Sequence, residues 1–149
     1  MTDWERLRVE ERVRRSFARQ SFMAHLGAEL VLVEPGRVEI AVSRAEHLLQ
    51  QHGYLHAGVL TSLLDSACGY AALTTMKEGT GVMSVEFKVN LLAPAAGERF
   101  VARAEVLKAG RTIIVCRADA FAVDGNAPRL VAAMQGSMMA IHGREGVSD

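Results

Sequence analysis

The sequence predicts an α+β fold in which one long apolar helix lies on a curved antiparallel sheet of about six strands, preceded by an N-terminal helix. Three observations carry this. A segment near residues 57–76 is apolar and rich in small residues over some 20 positions. Alternating segments on either side of it are separated by short turn signals, the pattern of hairpin-connected strands. The strand faces after it are rich in Ala and Gly, so a helix can approach a bent sheet closely.

From Trp4 to about Gln20 the apolar residues Trp4, Leu7, Val9, Val13, Phe17 and Ala18 recur near helical spacing among charges, which predicts an amphipathic helix with a solvated charged side. Ala28–Glu34 and Arg37–Ser43 flank Pro35-Gly36 and read as a hairpin. Arg44–Leu55 has no clear period and is read as a functional loop. The long helix should start at His56 or Ala57 and end near Met76, before Gly79. Val82–Leu92 then alternates, with Val85, Phe87, Val89 and Leu91 on one face and Ser84, Glu86, Lys88 and Asn90 on the other, up to Pro94. Glu98–Lys108, Arg111–Val123 and Arg129–Ile141 complete the sheet, separated by Ala109-Gly110 and Asp124-Gly125-Asn126. Their inward faces read Phe100, Ala102, Ala104, Val106; Cys116, Ala118, Ala120, Ala122; and Leu130, Ala132, Met134, Gly136, Met138, Ala140.

The chain has 149 residues, half of them apolar, which suits one domain with one core. That domain would have its core over about 26–141, an N-terminal helix within 1–25 and a loose tail at 143–149. Lys plus Arg equals Asp plus Glu at 17 each, so no net field recommends nucleic acid or an anionic membrane. Fourteen of the 17 cations are arginines, suited to phosphate or carboxylate. Cys68 and Cys116 have no metal or disulfide spacing and are expected as buried thiols. Neither a signal segment nor an apolar stretch of about 18 residues is visible, and a cytoplasmic protein without membrane contact is expected.

Asp65 is the one acid in the long helix, among Leu63, Leu64 and Ala67, where a carboxylate needs a partner or a cleft. Gly58, Thr61, Ser62, Cys68, Gly69 and Ala72 would share its face and form a groove; Val59, Leu60, Leu63 and Ala67 would face the core. A purely structural Asp65 would bond Thr61, Ser62 or nearby backbone. The helix start after His52-Gly53-Tyr54-Leu55-His56 offers unpaired N–H groups, a site for developing negative charge. An acid and an oxyanion site on one helix suggest acyl transfer. Ala57 and Asp65 are eight residues apart, about 12 Å along a helix. One copy therefore cannot bring both to the same carbonyl, and two antiparallel helices in a symmetric dimer can.

The run from His52 to Asp65, with Ser84-Val85-Glu86-Phe87-Lys88-Val89-Asn90-Leu91-Leu92-Ala93-Pro94, resembles hotdog-fold thioesterases of the phenylacetate-degradation (PaaI-like) type, related to hydroxybenzoyl-CoA thioesterases. The likeness covers about Leu26–Ile141. It implies an acyl-CoA thioesterase that cleaves a medium- or long-chain or aromatic acyl-CoA, forms a dimer and pairs dimers into a tetramer, and uses no cofactor beyond the CoA of its substrate. By the same resemblance Asp65 is the nucleophile or general base, and the Ala57 N–H polarises the thioester carbonyl. The family's Asn falls on Gln50, with Gln51 as a neighbour able to take that role, and its hydroxyl residue on Ser84. His56 orders the helix start or the thioester, with Gly58 beside the substrate. Ala57 replaces a glycine, and would be strained by about 1–2 kcal/mol if the site needed positive φ. Lys108 and Arg111, flanking Ala109-Gly110, are candidates for the CoA phosphates. His52 and His56 are spaced i, i+4, but Gly53 argues against a helical metal pair, and no metal is expected. His25, His47 and His142 are read as ordinary histidines. Two other readings remain open: a hydratase or dehydratase of the same fold acting on an acyl thioester, and a non-catalytic acyl-CoA binding module.

Overall fold

A computed structural model describes residues 1–125 and 127–149. Asn126, the third residue of the expected Asp124–Asn126 turn, lies outside the described residues. The elements run α1 (Asp3–Ala18), α2 (Ser21–Leu26), β1 (Glu29–Glu34), β2 (Arg37–Ser43), a short 3-10 turn at Glu46–Leu48, α3 (Ala57–Leu73), β3 (Gly81–Leu91), β4 (Arg99–Ala109), β5 (Ile113–Val123) and β6 (Arg129–Ile141). All sheet pairings are antiparallel, in the order β1-β2-β4-β5-β6-β3, so β3 is an edge strand. With α3 laid across this curved sheet, the architecture is the hotdog fold.

The Ala-rich faces pack as their composition requires. Ala102, Ala118, Ala120 and Ala132 are buried against α3, leaving room for Leu63 and Leu64, neither of which is exposed. Truncating either leucine to Ala should cost about 2–5 kcal/mol, because the surrounding sheet cannot collapse into the void. Cys68 and Ala72, expected in the groove, are fully buried instead; Thr61, Ser62, Asp65 and Gly69 do lie half-exposed.

Four differences from the sequence pattern have local causes. The long helix stops at Leu73, not Met76, because its last carbonyls are taken by side chains: Thr74 Oγ1 donates to Ala71, Thr75 Oγ1 to Ala72, and Arg12 to Leu73 and Met76. In α1, Trp4 and Leu7 are exposed, with the Arg8 guanidinium stacked 4.9 Å from the Trp4 ring, whereas Arg12 from the supposedly solvated side is buried. Bulges break strict alternation. One in β6 at Val131 pairs Leu130 with Phe121 on the outer face and buries Val131 in its place. The segment after β6, expected to be loose, is held down: Asp149 Oδ2 accepts from the Gly79 N–H at 3.0 Å and lies 3.2 Å from Arg12 Nε.

Candidate active site

The loop before α3 is fixed by its own backbone. Gln50 N–H donates to Tyr54 at 2.9 Å, Gly53 N–H to Gln50 at 3.0 Å, Leu55 N–H to Ala95 at 3.0 Å and His56 N–H to Leu48 at 2.9 Å. These bonds deliver His56 in extended conformation as the N-cap of α3, where its Nδ1 accepts the Gly58 N–H at 2.8 Å. A Cβ at Gly58 would stand 3.0 Å from Nδ1, so a side chain there would crowd this cap. The N–H of Gly58, a residue expected beside the substrate, is thus already used. Val59 and Leu60 N–H both turn to the His56 carbonyl. Among the described residues the Ala57 N–H alone of this first turn has no acceptor, and it sits at the positive end of the helix dipole. Among the described residues no non-glycine has positive φ, so Ala57 carries none of the strain that a positive φ would bring.

Two turns on, Asp65 is bonded neither to Thr61 nor to Ser62, whose hydroxyls donate back to the Ala57 and Gly58 carbonyls. Its partner is Ser84, whose hydroxyl donates to Asp65 Oδ1 at 2.6 Å and lies 3.4 Å from Met138 Sδ. Strict alternation had put Ser84 on the polar face of β3. A bulge at Val85 explains the change: Ser84 pairs with Met138 and Phe87 with Gly136, so Ser84 faces the helix together with Val82 before the bulge and Phe87, Val89 and Leu91 after it. Only Glu86, Lys88 and Asn90 remain on the outer face, where Ser137 donates to Glu86. Held by one oxygen, the carboxylate leaves Oδ2 without a hydrogen-bond partner among the described residues.

The site residues fall into two separate concavities. One, of about 540 Å³, gathers Gln50, His56 and Ala57 with Tyr54, Leu91 and Pro94. The other, of about 740 Å³, holds Asp65 and Ser84 with Gly69, Tyr70 and the segment after β6. Gln50, which lines the first concavity, turns its side-chain carbonyl to the His52 N–H, and its amide NH₂ has no acceptor among the described residues; Gln51 is exposed outside it. The sequence reading missed a chain of polar contacts in the second: Ser66 Oγ donates to Gln20 Oε1 at 3.3 Å and Gln20 Nε2 to Tyr70 Oη at 3.1 Å. The i, i+4 spacing of Ser66 and Tyr70, one step past Asp65, was the available signal.

Lys108 and Arg111 are exposed at the β4–β5 turn and line neither concavity. A bulge at Leu107 pairs Lys108 with Val115 on the outer face. His25 and His47 stack edge to face at 6.1 Å, away from both clusters, and His142 is exposed. Cys68 and Cys116 are buried free thiols; Cys116 Sγ lies 3.5 Å from the Cys68 carbonyl, and the Cys68 thiol is pushed far up by its hydrogen bond with Cys116 and by burial. Both thiols are closed off from solvent, out of reach of a substrate.

Residues 52–128 match the Thioesterase superfamily. The stretch includes His56, Ala57, Asp65 and Ser84. A solved structure of a thioesterase family protein from Silicibacter pomeroyi is 51% identical, with a TM-score of 0.87, over 89% of this chain and 98% of that one. Acyl-coenzyme A thioesterase 13 of Homo sapiens is 34% identical over 91 residues, 60% of this chain and 64% of that protein, so the chain matches a little under two thirds of this relative's length. The PaaI protein of the E. coli phenylacetic acid degradation operon, at 21% identity and a TM-score of 0.81 over 96% of this chain and 97% of that one, shares the fold.

Proposed function

The chain belongs to the thioesterase superfamily, and from that premise we propose that it hydrolyses acyl-CoA thioesters at two equivalent sites built between the subunits of a dimer. The observation that carries this reading is the division of α3: a free backbone donor at Ala57 and a Ser84-oriented carboxylate at Asp65, about 12 Å apart along one helix. Each is half of an acyl-transfer site.

In the composite site the thioester oxygen accepts the Ala57 N–H of one copy while Asp65 of the other faces the carbonyl carbon. Asp65 Oδ2 either takes a proton from water as its oxygen bonds to that carbon, or bonds to the carbon itself to give an anhydride that water then opens. In both routes the negative charge gathers on the oxygen held at Ala57, the C–S bond breaks, and the departing CoA sulfur is protonated. Ser84 orients the carboxylate; His56 holds the helix start; Gln50 adds an amide donor beside Ala57. The pattern of exposure supports a paired assembly. Edge strand β3 leaves one side unpaired and exposes Met83 and Val85 as well as Phe87 and Leu91 of its helix-side face, with Leu92 just beyond, an apolar edge of the kind that pairs with a second chain. The human relative's name, acyl-coenzyme A thioesterase 13, supports CoA as the thiol carrier. The acyl classes to be tried first are medium- or long-chain and aromatic, those the resemblance to the PaaI-like thioesterases implies.

The test is a panel of acyl-CoAs with free thiol as readout. Thiol release that Asp65→Asn abolishes, with the circular dichroism unchanged, is the expected result. Tight binding without thiol release would make the protein a binding module, and a change in double-bond absorbance without thiol would make it a hydratase.

A further inference from the structure

We propose that the segment after β6 is the far wall of the acyl pocket and sets the length of acyl chain the protein accepts, an inference that rests on acyl-CoA being the ligand of the Asp65 concavity. That concavity runs between two rails leading away from the Asp65–Ser84 pair. Along α3 it passes Gly69 and reaches Leu73, eight residues and about 12 Å beyond Asp65. Along β3 it reaches Gly81, three residues and about 10 Å from Ser84. Both rails end on residues Gly146–Asp149.

The seat for this segment is built into the fold. Gly81 makes room for Val147, since a Cβ at position 81 would stand 2.5 Å from Val147 Cγ1. Asp149 is then fastened by the Gly79 N–H and by Arg12, and both side chains of the ion pair are over nine-tenths buried. Arg12 also donates to the Leu73 and Met76 carbonyls at the end of α3. If the segment leaves, Arg12 therefore keeps two acceptors and the negative end of a helix dipole, so the seat persists without it. A wall that is fastened to the fold without being part of its core can limit a ligand without being needed for folding. An extended acyl chain advances about 1.2 Å per bond, so one whose carbonyl sits at Asp65 meets Val147 after about eight bonds.

Calorimetry with the S-hexyl and S-tetradecyl thioethers of CoA, which cannot be hydrolysed, tests this directly. Three full-length or shortened chains are compared: the wild type, a variant lacking residues 143–149, and Val147→Trp. The ratio of tetradecyl to hexyl affinity should rise about tenfold on deletion, the effect of burying roughly two more methylenes, and fall below the wild-type ratio with Val147→Trp. An unchanged ratio, or an equal change for both ligands, would overturn the proposal, as would failure of the wild type to bind either. Should the deletion prevent folding, Val147→Trp decides alone. If the length dependence holds while the matching thioesters release no thiol, the hydrolytic reading fails and the wall stands.

Discussion

The two halves of the proposed site on α3 are built by different means. At its first turn the helix offers a backbone N–H, and the side chains around Ala57 serve to leave that one donor free: His56 occupies the Gly58 N–H, and the His56 carbonyl occupies those of Val59 and Leu60. Two turns later the functional group is a side chain, and the backbone's contribution is a bulge in β3 that turns Ser84 toward Asp65. On the proposed roles the first half should tolerate changes of side chain that keep an N–H, and the second almost none.

This contrast orders the effects of substitution. Asp65→Asn keeps the shape and the Ser84 contact but removes the charge, and should lower kcat by about 10²–10⁴-fold with little change in thermal stability. Ala57→Pro is the matching test of the backbone half. Proline is favoured at the first position of a helix, and His56 already has the extended conformation that a residue before proline requires, so only the N–H is lost. Activity should fall about 10²–10³-fold while the melting temperature holds; activity near wild type would remove Ala57 from the site. Ser84→Ala leaves the carboxylate in place but unoriented, and should reduce kcat about tenfold with KM nearly unchanged. Smallest of all, the double substitution of Lys108 and Arg111 by Gln should raise KM for acyl-CoA by a few fold at low salt and by less at high salt, if these exposed cations attract its phosphates.

Periodicity located the elements well because the core dictates it. Arg129–Ile141 follows from alternation of Ala, Met and Gly alone, whereas of the small residues expected to form a groove around Asp65 only Gly69 lines its concavity. What alternation could not show was where it fails. The bulges at Val85, Leu107 and Val131 each insert one residue and reverse the faces beyond, and no residue type at those positions announces them. Ser84 was therefore assigned to the polar face by pattern and to the site by resemblance, and the bulge reconciles the two. Arg12 was hidden for another reason. Its burial depends on the end of α3 and on Asp149, 61 to 137 residues away in sequence, and no local pattern reports contacts of that range.

Mixing two inactive chains tests the central claim most directly. Asp65→Asn and Ala57→Pro homodimers are combined, allowed to exchange subunits, and assayed for thiol release. If each site draws its acid from one copy and its amide donor from the other, half the dimers become mixed and each has one intact site, so activity should recover to about a quarter of wild type. A mixture that stays as inactive as its parents, although exchange has occurred, would place both groups in the same copy or remove one of them from the site.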